Sequence, residues 1–285
     1  MWLAETIDEL RARRGEMSGP VGLVPTMGAL HAGHLSLIEA ATDRTADVIV
    51  SIFVNPTQFG PDEDFERYPR PVEHDLEQCE AAGVAGIFQP SVDQMYPPHI
   101  PAADVAVATL CSQFEGAFRP GHLPGVCRVV LKLMNIVRPD FACFGRKDFQ
   151  QLRMIQAMLA DLNLPIGIIE CPTVREPDGL AVSSRNIFLT GELRPRALGL
   201  HQSLQTAAML INRGESDPSE VEAAMAQSLR AHHVDFDYAV VRHPLTLAAM
   251  DIIDPKLTGG VIALVAGRVD GIRLIDNMLL GMEGQ

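Results

Sequence analysis

Seven consecutive residues, Val48-Ile49-Val50-Ser51-Ile52-Phe53-Val54, are nearly all apolar and mostly β-branched. A strand of this kind has no polar face to turn to water, so it must be covered on both sides. Parallel sheets with helices on each face provide that cover. The neighbouring segments alternate accordingly. Short apolar runs at 21–24 (ending in Pro25), 85–88, 141–144 and 166–169 read as strands. Residues 35–42, 75–82, 126–137 (stopped by Pro139) and 149–162 read as helices. The pattern predicts an α/β fold built on a Rossmann-like, doubly wound, mostly parallel sheet.

The character changes after about Cys171. Residues 194–213 and 219–232 read as helices, the second opened by Asp217-Pro218-Ser219. β-like runs follow at 236–241, 261–265 and 272–275, and Asp270-Gly271 between the last two signals a hairpin turn. A smaller C-terminal α+β domain is expected. The expected domains are 1–174 and 175–285.

Lys plus Arg number 23 against 36 Asp plus Glu, a formal charge of −13. Nucleic-acid binding needs a basic face, so it is disfavoured as the main function. A small anion is not excluded, because a helix N-terminus and a few local cations can hold one. No apolar run approaches the ~20 residues of a membrane-spanning helix. Residues 1–14 mix acidic and basic side chains without an apolar core, and do not read as a signal peptide. Cys79, Cys111, Cys127, Cys143 and Cys171 are widely spaced without a CxxC pair. Reduced thiols in a cytoplasmic protein are expected rather than disulfides or zinc.

Five segments carry polar chemistry. In Pro25-Thr26-Met27-Gly28-Ala29-Leu30-His31-Ala32-Gly33-His34 a strand runs through two glycines into a helix. Glycine lets backbone approach a phosphate, and the helix N-terminus offers N–H groups and positive dipole. His31 and His34 are three apart, so they share a helix face. The alternatives are a plain βα turn or a zinc pair, the latter lacking His-Glu-x-x-His and a third ligand. Phe53 to Gly60 follows the buried strand, at the edge where ligands collect in open α/β sheets. There Gln58 can donate and accept, while Asn55 either contributes or ties down the loop before Pro56. In Gly145-Arg146-Lys147-Asp148 a second strand passes through glycine into a helix, with Lys147 a mobile point charge and Asp148 placed as an N-cap. Gln151 lies three residues beyond Asp148. Ser183-Ser184-Arg185 is either a phosphate clamp or an N-capped linker. Glu115 to His122 is a Gly/Pro-punctuated loop with two anion ligands, Arg119 and His122, that either covers a site or only connects. The run Asp62-Glu63-Asp64 reads as a solvated loop face. Gly-x-Ser-x-Gly, Walker A and Gly-x-Gly-x-x-Gly patterns are absent, which disfavours covalent hydrolases and dehydrogenases.

Taken in order, PTMGALHAGH, FVNPTQFGPDEDFERYPR, CFGRKDFQQL and DGLAVSSRN resemble the pantothenate synthetase (pantoate–β-alanine ligase) family, within the HIGH-motif nucleotidyltransferase superfamily. The likeness is dense through 21–190 and continues thinly to Asp276-Asn277. It implies ATP-dependent condensation of (R)-pantoate with β-alanine to pantothenate, a coenzyme A precursor. The implied route is a pantoyl adenylate, with AMP and pyrophosphate released. It implies ATP as substrate, magnesium as cofactor, and a homodimer. By the same likeness Met27, Gly28, Ala29, Leu30, His31, Ala32, Gly33 and His34 bind ATP, with His34 the catalytic histidine and His31 and Lys147 aiding it. Gly145, Arg146, Lys147, Asp148, Val174, Val182, Ser183, Ser184 and Arg185 complete the ATP site. Gln58 and Gln151 bind pantoate, and Gln58 also lies where β-alanine enters. Asp75 matches a position associated with magnesium. Arg146 stands where the family usually carries Glu. The C-terminal domain is expected to act as a lid that excludes water from the adenylate.

Two rival readings compete with this one. A nucleotidyltransferase would move AMP or CMP onto a phosphorylated small molecule, without need of paired glutamines. A nucleotide-binding regulator would lack catalysis altogether. A tRNA-charging role is disfavoured by the negative charge.

Overall fold

The computed structural model describes residues 1–61, 63, 65–254 and 259–281, so Asp62 and Asp64 of the acidic run lie outside the described residues. The chain divides into two compact units, Met1–Arg146 with Gln150–Pro172, and Lys147–Phe149 with Thr173–Gln285.

The first unit is built on six strands: β1 (Trp2–Ala4), β2 (Val21–Thr26), β3 (Asp47–Ile52), β4 (Gly86–Phe88), β5 (Phe141–Gly145) and β6 (Gly167–Cys171). Their order is β1-β4-β3-β2-β5-β6, and every pairing is parallel. From β2 the chain builds outward through β3 and β4, then restarts on the other side with β5 and β6. The switch point therefore lies between β2 and β5, where open α/β sheets leave a crevice past the strand ends. Within β3, Val48, Ile49 and Val50 are fully buried, as a strand with no polar face requires. The helix Ala32–Thr42 covers this sheet with Leu37, Ile38 and Ala41, packed in one cluster with Val24, Val50 and Ile87.

Three differences from the sequence pattern have local causes. β2 continues through Pro25 to Thr26 instead of ending at Pro25. β5 pairs with β2 only at Gly22 and Leu23, so that ladder asks no N–H of Pro25. The helix expected from 126 begins at His122, after Gly121 in the left-handed region at φ +87°. A Cβ on Gly125 would lie 2.2 Å from the Thr57 carbonyl oxygen, so glycine lets this helix lie directly against the turn Pro56–Gln58. Neither β1 nor the helix Ile7–Glu16 follows from apolar periodicity, for the helix buries only Leu10. It is set instead by a capping box. The Thr6 hydroxyl accepts from the Glu9 N–H at 3.2 Å, and the Glu9 carboxylate accepts from the Thr6 N–H at 3.1 Å.

In the second unit, the helices Leu193–Asn212 and Pro218–Ala231 pack on an antiparallel sheet of β7 (Asp235–Arg242), β8 (Val261–Val269) and β9 (Ile272–Leu280), in the order β7-β8-β9. Leu200, Leu204, Val221, Met225, Val241, Ala263 and Val265 share its core. Asp270 and Gly271 form the two-residue turn between β8 and β9, at φ +51° and +79°. Two positive φ values match the right-handed strand twist, which is why Asp-Gly marks such turns. Both strands outrun the apolar segments read from sequence, because Arg268, Asp276 and Asn277 interrupt the hydrophobicity without interrupting the pairing.

Thr6→Ala removes the cap of a helix that has little burial to hold it. The expected loss is ~1 kcal/mol in urea unfolding. An unchanged unfolding midpoint would show that the capping box does not stabilise the helix.

Candidate active site

The turn after β2 is held by side chains from two other elements. The Thr26 hydroxyl donates to the Ser51 carbonyl on β3 at 2.8 Å and accepts from the Gly28 N–H at 3.1 Å. Gly28 and Ala29 then adopt left-handed conformations, at φ +79° and +50°. For alanine that region is costly, of order 1–3 kcal/mol, and persists only where the surroundings determine it. Asp75 does so. Its carboxylate, from the first turns of the helix Val72–Ala81, accepts from the Ala29 N–H at 2.8 Å and from the Leu30 N–H at 2.7 Å. A Cβ on Gly28 would come within 2.8 Å of the same carboxylate, so glycine is required there twice over.

The turn delivers the chain into the helix Ala32–Thr42 with His31 at the N-cap. His31 and His34 stack, with ring centroids 4.0 Å apart and planes inclined by 18°. Gly33 leaves room for that stack, since a Cβ there would sit 3.0 Å from the His31 ring. The first backbone N–H groups of a helix have no intrahelical partner and sit at its positive end. Two imidazoles beside such an end suit an anion. The pair shares one face, as the spacing of three predicts.

Past β3 a second polar centre forms around Asn55, which is 1% exposed. Its carbonyl oxygen accepts from the Thr57 N–H at 3.3 Å, the Thr57 hydroxyl at 2.9 Å and the Tyr96 hydroxyl at 2.8 Å. Its amide donates to Gln58 Oε1 at 3.0 Å and to the Gly125 carbonyl at 3.2 Å. Asn55 thus ties down the loop and also orients Gln58, whose own Nε2 donates to Met27 Sδ at 3.1 Å. Two site residues expected from separate motifs, Met27 and Gln58, are therefore in contact.

His122 supports Gln58 from behind. Its Nδ1 lies 2.7 Å from the Gln58 carbonyl, which can only accept, so Nδ1 carries the proton. Nε2 then accepts from Arg119 at 3.0 Å. Arg119 in turn makes a two-pronged ion pair with Glu63 at 2.7 Å through each nitrogen. Burial, and then the Arg119 charge, hold the His122 pKa down at about 4. Burial pushes the Glu63 carboxyl up, but the Arg119 hydrogen bonds and charge outweigh it and leave it below the usual range. Arg119 and His122, read from sequence as anion ligands, are here partners of Glu63 and Gln58.

The remaining expected residues fall on two segments. Gly145 ends β5, and Arg146-Lys147-Asp148 form a single helical turn before the helix Phe149–Asp161. Gln151 is partly exposed in the first turn of that helix. Its neighbour Gln150 is the buried one, accepting from the Glu115 N–H at 3.0 Å and donating to the Leu110 carbonyl at 2.6 Å. In the second unit a hairpin brings Val174 and Val182 together, the Val182 N–H donating to the Val174 carbonyl at 3.0 Å. Ser183 follows and caps the short turn Ser184–Phe188, accepting from the Arg185 N–H at 3.3 Å.

A family model described as pantoate-beta-alanine ligase matches residues 3–279. The pantothenate synthetase of Thermotoga petrophila is 48% identical over 285 residues, covering 99% of this chain and 100% of its own. The chain belongs to the pantoate–β-alanine ligase family. Among solved structures, the pantothenate synthetase of Thermus thermophilus superposes with a TM-score of 0.91 at 42% identity, covering 98% of this chain and 99% of that one. A pantoate–β-alanine ligase of Francisella tularensis, complexed with beta-gamma ATP and beta-alanine, gives a TM-score of 0.79 at 32% identity over 98% and 97%.

For this family member one expected role does not fit. Asp75 matches a magnesium position by likeness, but both of its oxygens already accept backbone N–H groups and the residue is 1% exposed. Among the described residues no group of three or more His, Cys, Asp or Glu is arranged to hold a metal. Arg146, which the likeness places in the ATP site, makes an ion pair to Glu170 at 3.3 Å. Burial pushes the Cys79 and Cys127 thiols up to about 12, so neither offers a thiolate nucleophile. Tyr96 and the supporting role of His122 had no signal in the sequence, because their partners lie 41 and 64 residues away.

His122 resists protonation in the folded chain, whereas an unfolded histidine titrates near 6.5. Its contribution to stability is present above about 6.5 and declines as pH falls toward 4. His122→Gln should flatten the fall in melting temperature across that window. An unchanged slope would show that His122 is not the titrating group.

Proposed function

We propose that this chain is an AMP-forming acid–amino-acid ligase that joins pantoate to β-alanine at the expense of ATP. One observation carries the reading: the family match spans 3–279 and so includes all four motif segments read from the sequence. The first unit is read as the ATP- and pantoate-binding domain, and the smaller unit as the lid. A cytoplasmic homodimer belongs to the same reading and rests on the family alone. No described helix is long and apolar enough to cross a membrane.

In the first half-reaction the pantoate carboxylate attacks the α-phosphorus of ATP and pyrophosphate leaves. The barrier is one of alignment and charge, so no protein nucleophile is required. Gly28, Ala29 and Leu30, held by Asp75, shape the approach of the phosphates to the helix N-terminus. His34 and His31 donate to the charge that grows on the phosphoryl oxygens, and Lys147, Ser183, Ser184 and Arg185 are assigned to the same task. Gln58 and Gln151 orient pantoate by its carboxylate and hydroxyl. In the second half-reaction the β-alanine amine attacks the acyl carbon, loses a proton and expels AMP. Magnesium would enter on the phosphates of ATP.

The decisive assay is pyrophosphate release from ATP with pantoate, first without and then with β-alanine. Sustained turnover to AMP and an amide on adding β-alanine is expected. A dinucleotide product would favour the nucleotidyltransferase reading, and no ATP turnover would leave only a binding protein. In the same assay His34→Ala should cost ~10²-fold or more in single-turnover adenylation while the fold survives.

Asp75→Asn leaves one acceptor for two backbone donors and should loosen the turn. The ATP KM should rise, and the melting temperature should fall, with the magnesium dependence unchanged at saturating ATP. A displaced magnesium midpoint at unchanged stability would restore the metal role.

A further inference from the structure

β9 carries two adjacent polar residues, Asp276 and Asn277, that are only 3% and 6% exposed. Successive residues of a strand point to opposite faces, so the two project away from each other. Their cross-strand partners on β8 are Val265 and Leu264, which offer no polar side chain. A buried polar group is tolerated only where other groups satisfy it. Here the partners come from two loops distant in sequence.

Asp276 meets Arg175 with both oxygens, at 2.7 and 2.9 Å. The same guanidinium donates to the Gly179 carbonyl at 3.0 Å and to the Asn277 carbonyl at 3.2 Å. Arg175 therefore clamps the hairpin that joins Val174 to Val182 onto β9. On the other face, the Asn277 side-chain amide donates to the Lys147 carbonyl at 2.8 Å. That bond fixes the peptide plane after Lys147, at the single turn between β5 and the next helix. A buried ion pair is weak support for stability, since its desolvation cost offsets most of its attraction. What this arrangement does supply is fixed geometry in two segments at once.

We propose that Asp276 and Asn277 are positioning residues for the adenylation half-reaction, Asn277 acting through Lys147 and Asp276 acting through Arg175 on Val182–Arg185. The inference rests on the reading above that these two segments face ATP. Each acts through a neighbouring group, Arg175 or the Lys147 carbonyl, to which it is bonded. The C-terminal hairpin thereby sets the chemistry of a lysine 130 residues earlier in the chain.

The test uses the full chain with Asn277→Ala, Asn277→Leu and Asp276→Asn. Asn277→Leu keeps the side-chain volume without the donor, so the comparison does not depend on the alanine variant folding. Hydrogen exchange should accelerate in the peptide spanning 145–149 for the Asn277 variants, and in that spanning 174–185 for Asp276→Asn, with β2 and β3 unchanged. Pyrophosphate release with ATP and pantoate should fall about 10- to 100-fold, the scale of a small misplacement of a charged group. Amide formation from supplied pantoyl adenylate should stay within a few-fold. Combined with Lys147→Ala, the Asn277→Ala loss should largely vanish, because both changes remove the same contribution. Unchanged exchange, equal loss in both half-reactions, or fully additive losses would each overturn the proposal. A wild-type protein that releases no pyrophosphate would refute the ligase reading instead, while the exchange measurement still decides whether Asn277 orders the Lys147 turn.

Discussion

One carboxylate accepting two consecutive backbone N–H groups holds the turn on which the first unit's polar site depends. Asp75 lies 46 residues from Ala29 in sequence, yet the helix Val72–Ala81 brings it to 2.8 Å. It compensates an alanine in the left-handed region and gives the chain its direction into the helix Ala32–Thr42. The stacked histidines and the exposed end of that helix follow from this direction. Without the anchor, two left-handed residues in succession would leave the turn a choice of conformations. The parallel sheet contributes the other half, because its β2–β3 pairing presents the Ser51 carbonyl as an acceptor to the Thr26 hydroxyl.

The acidic balance of the chain does not contradict a site for ATP. Several arginines are committed to internal carboxylates: Arg119 to Glu63, Arg153 to Glu170, Arg175 to Asp276 and Arg194 to Glu176. Those pairs order loops more than they attract ligands. A helix N-terminus and a few donors bind an anion locally, at distances where the net charge of the whole molecule is largely screened. Net charge argues about nucleic acid and solubility, not about a crevice at a switch point.

The sheet and most helices were legible because their signals are local. β3 announces itself by lacking a polar face, and the Asp270-Gly271 hairpin by the residues its turn demands. β1 and the helix Ile7–Glu16 leave no apolar signature, although Thr6 and Glu9 spell a capping box, because a helix burying only Leu10 has almost no apolar stripe. In the site, the glycine turns and histidine spacing were readable, as was the choice left open for Asn55. The supporting contacts were not. Nothing near Asp75 in sequence says that its oxygens belong to Ala29 and Leu30, and nothing near His122 says that it holds the Gln58 carbonyl. Such pairs are decided by how elements pack, so no local pattern encodes them.

Arg146 shows the same logic in reverse. The likeness read from the sequence implies an acid in this position, and a cation there changes the local charge by two units. The structure absorbs the change one strand away. Glu170 on β6 accepts from Arg153 at 2.8 Å and from Gln156 at 2.9 Å, and Arg146 joins it at 3.3 Å. Burial raises the Glu170 carboxyl, yet the Gln156 bond and the two arginines bring it below its usual range, so it remains charged. Arg146 and Arg153 thus share the Glu170 carboxylate. A cation at this position gains a partner because the adjacent strand carries a carboxylate to receive it.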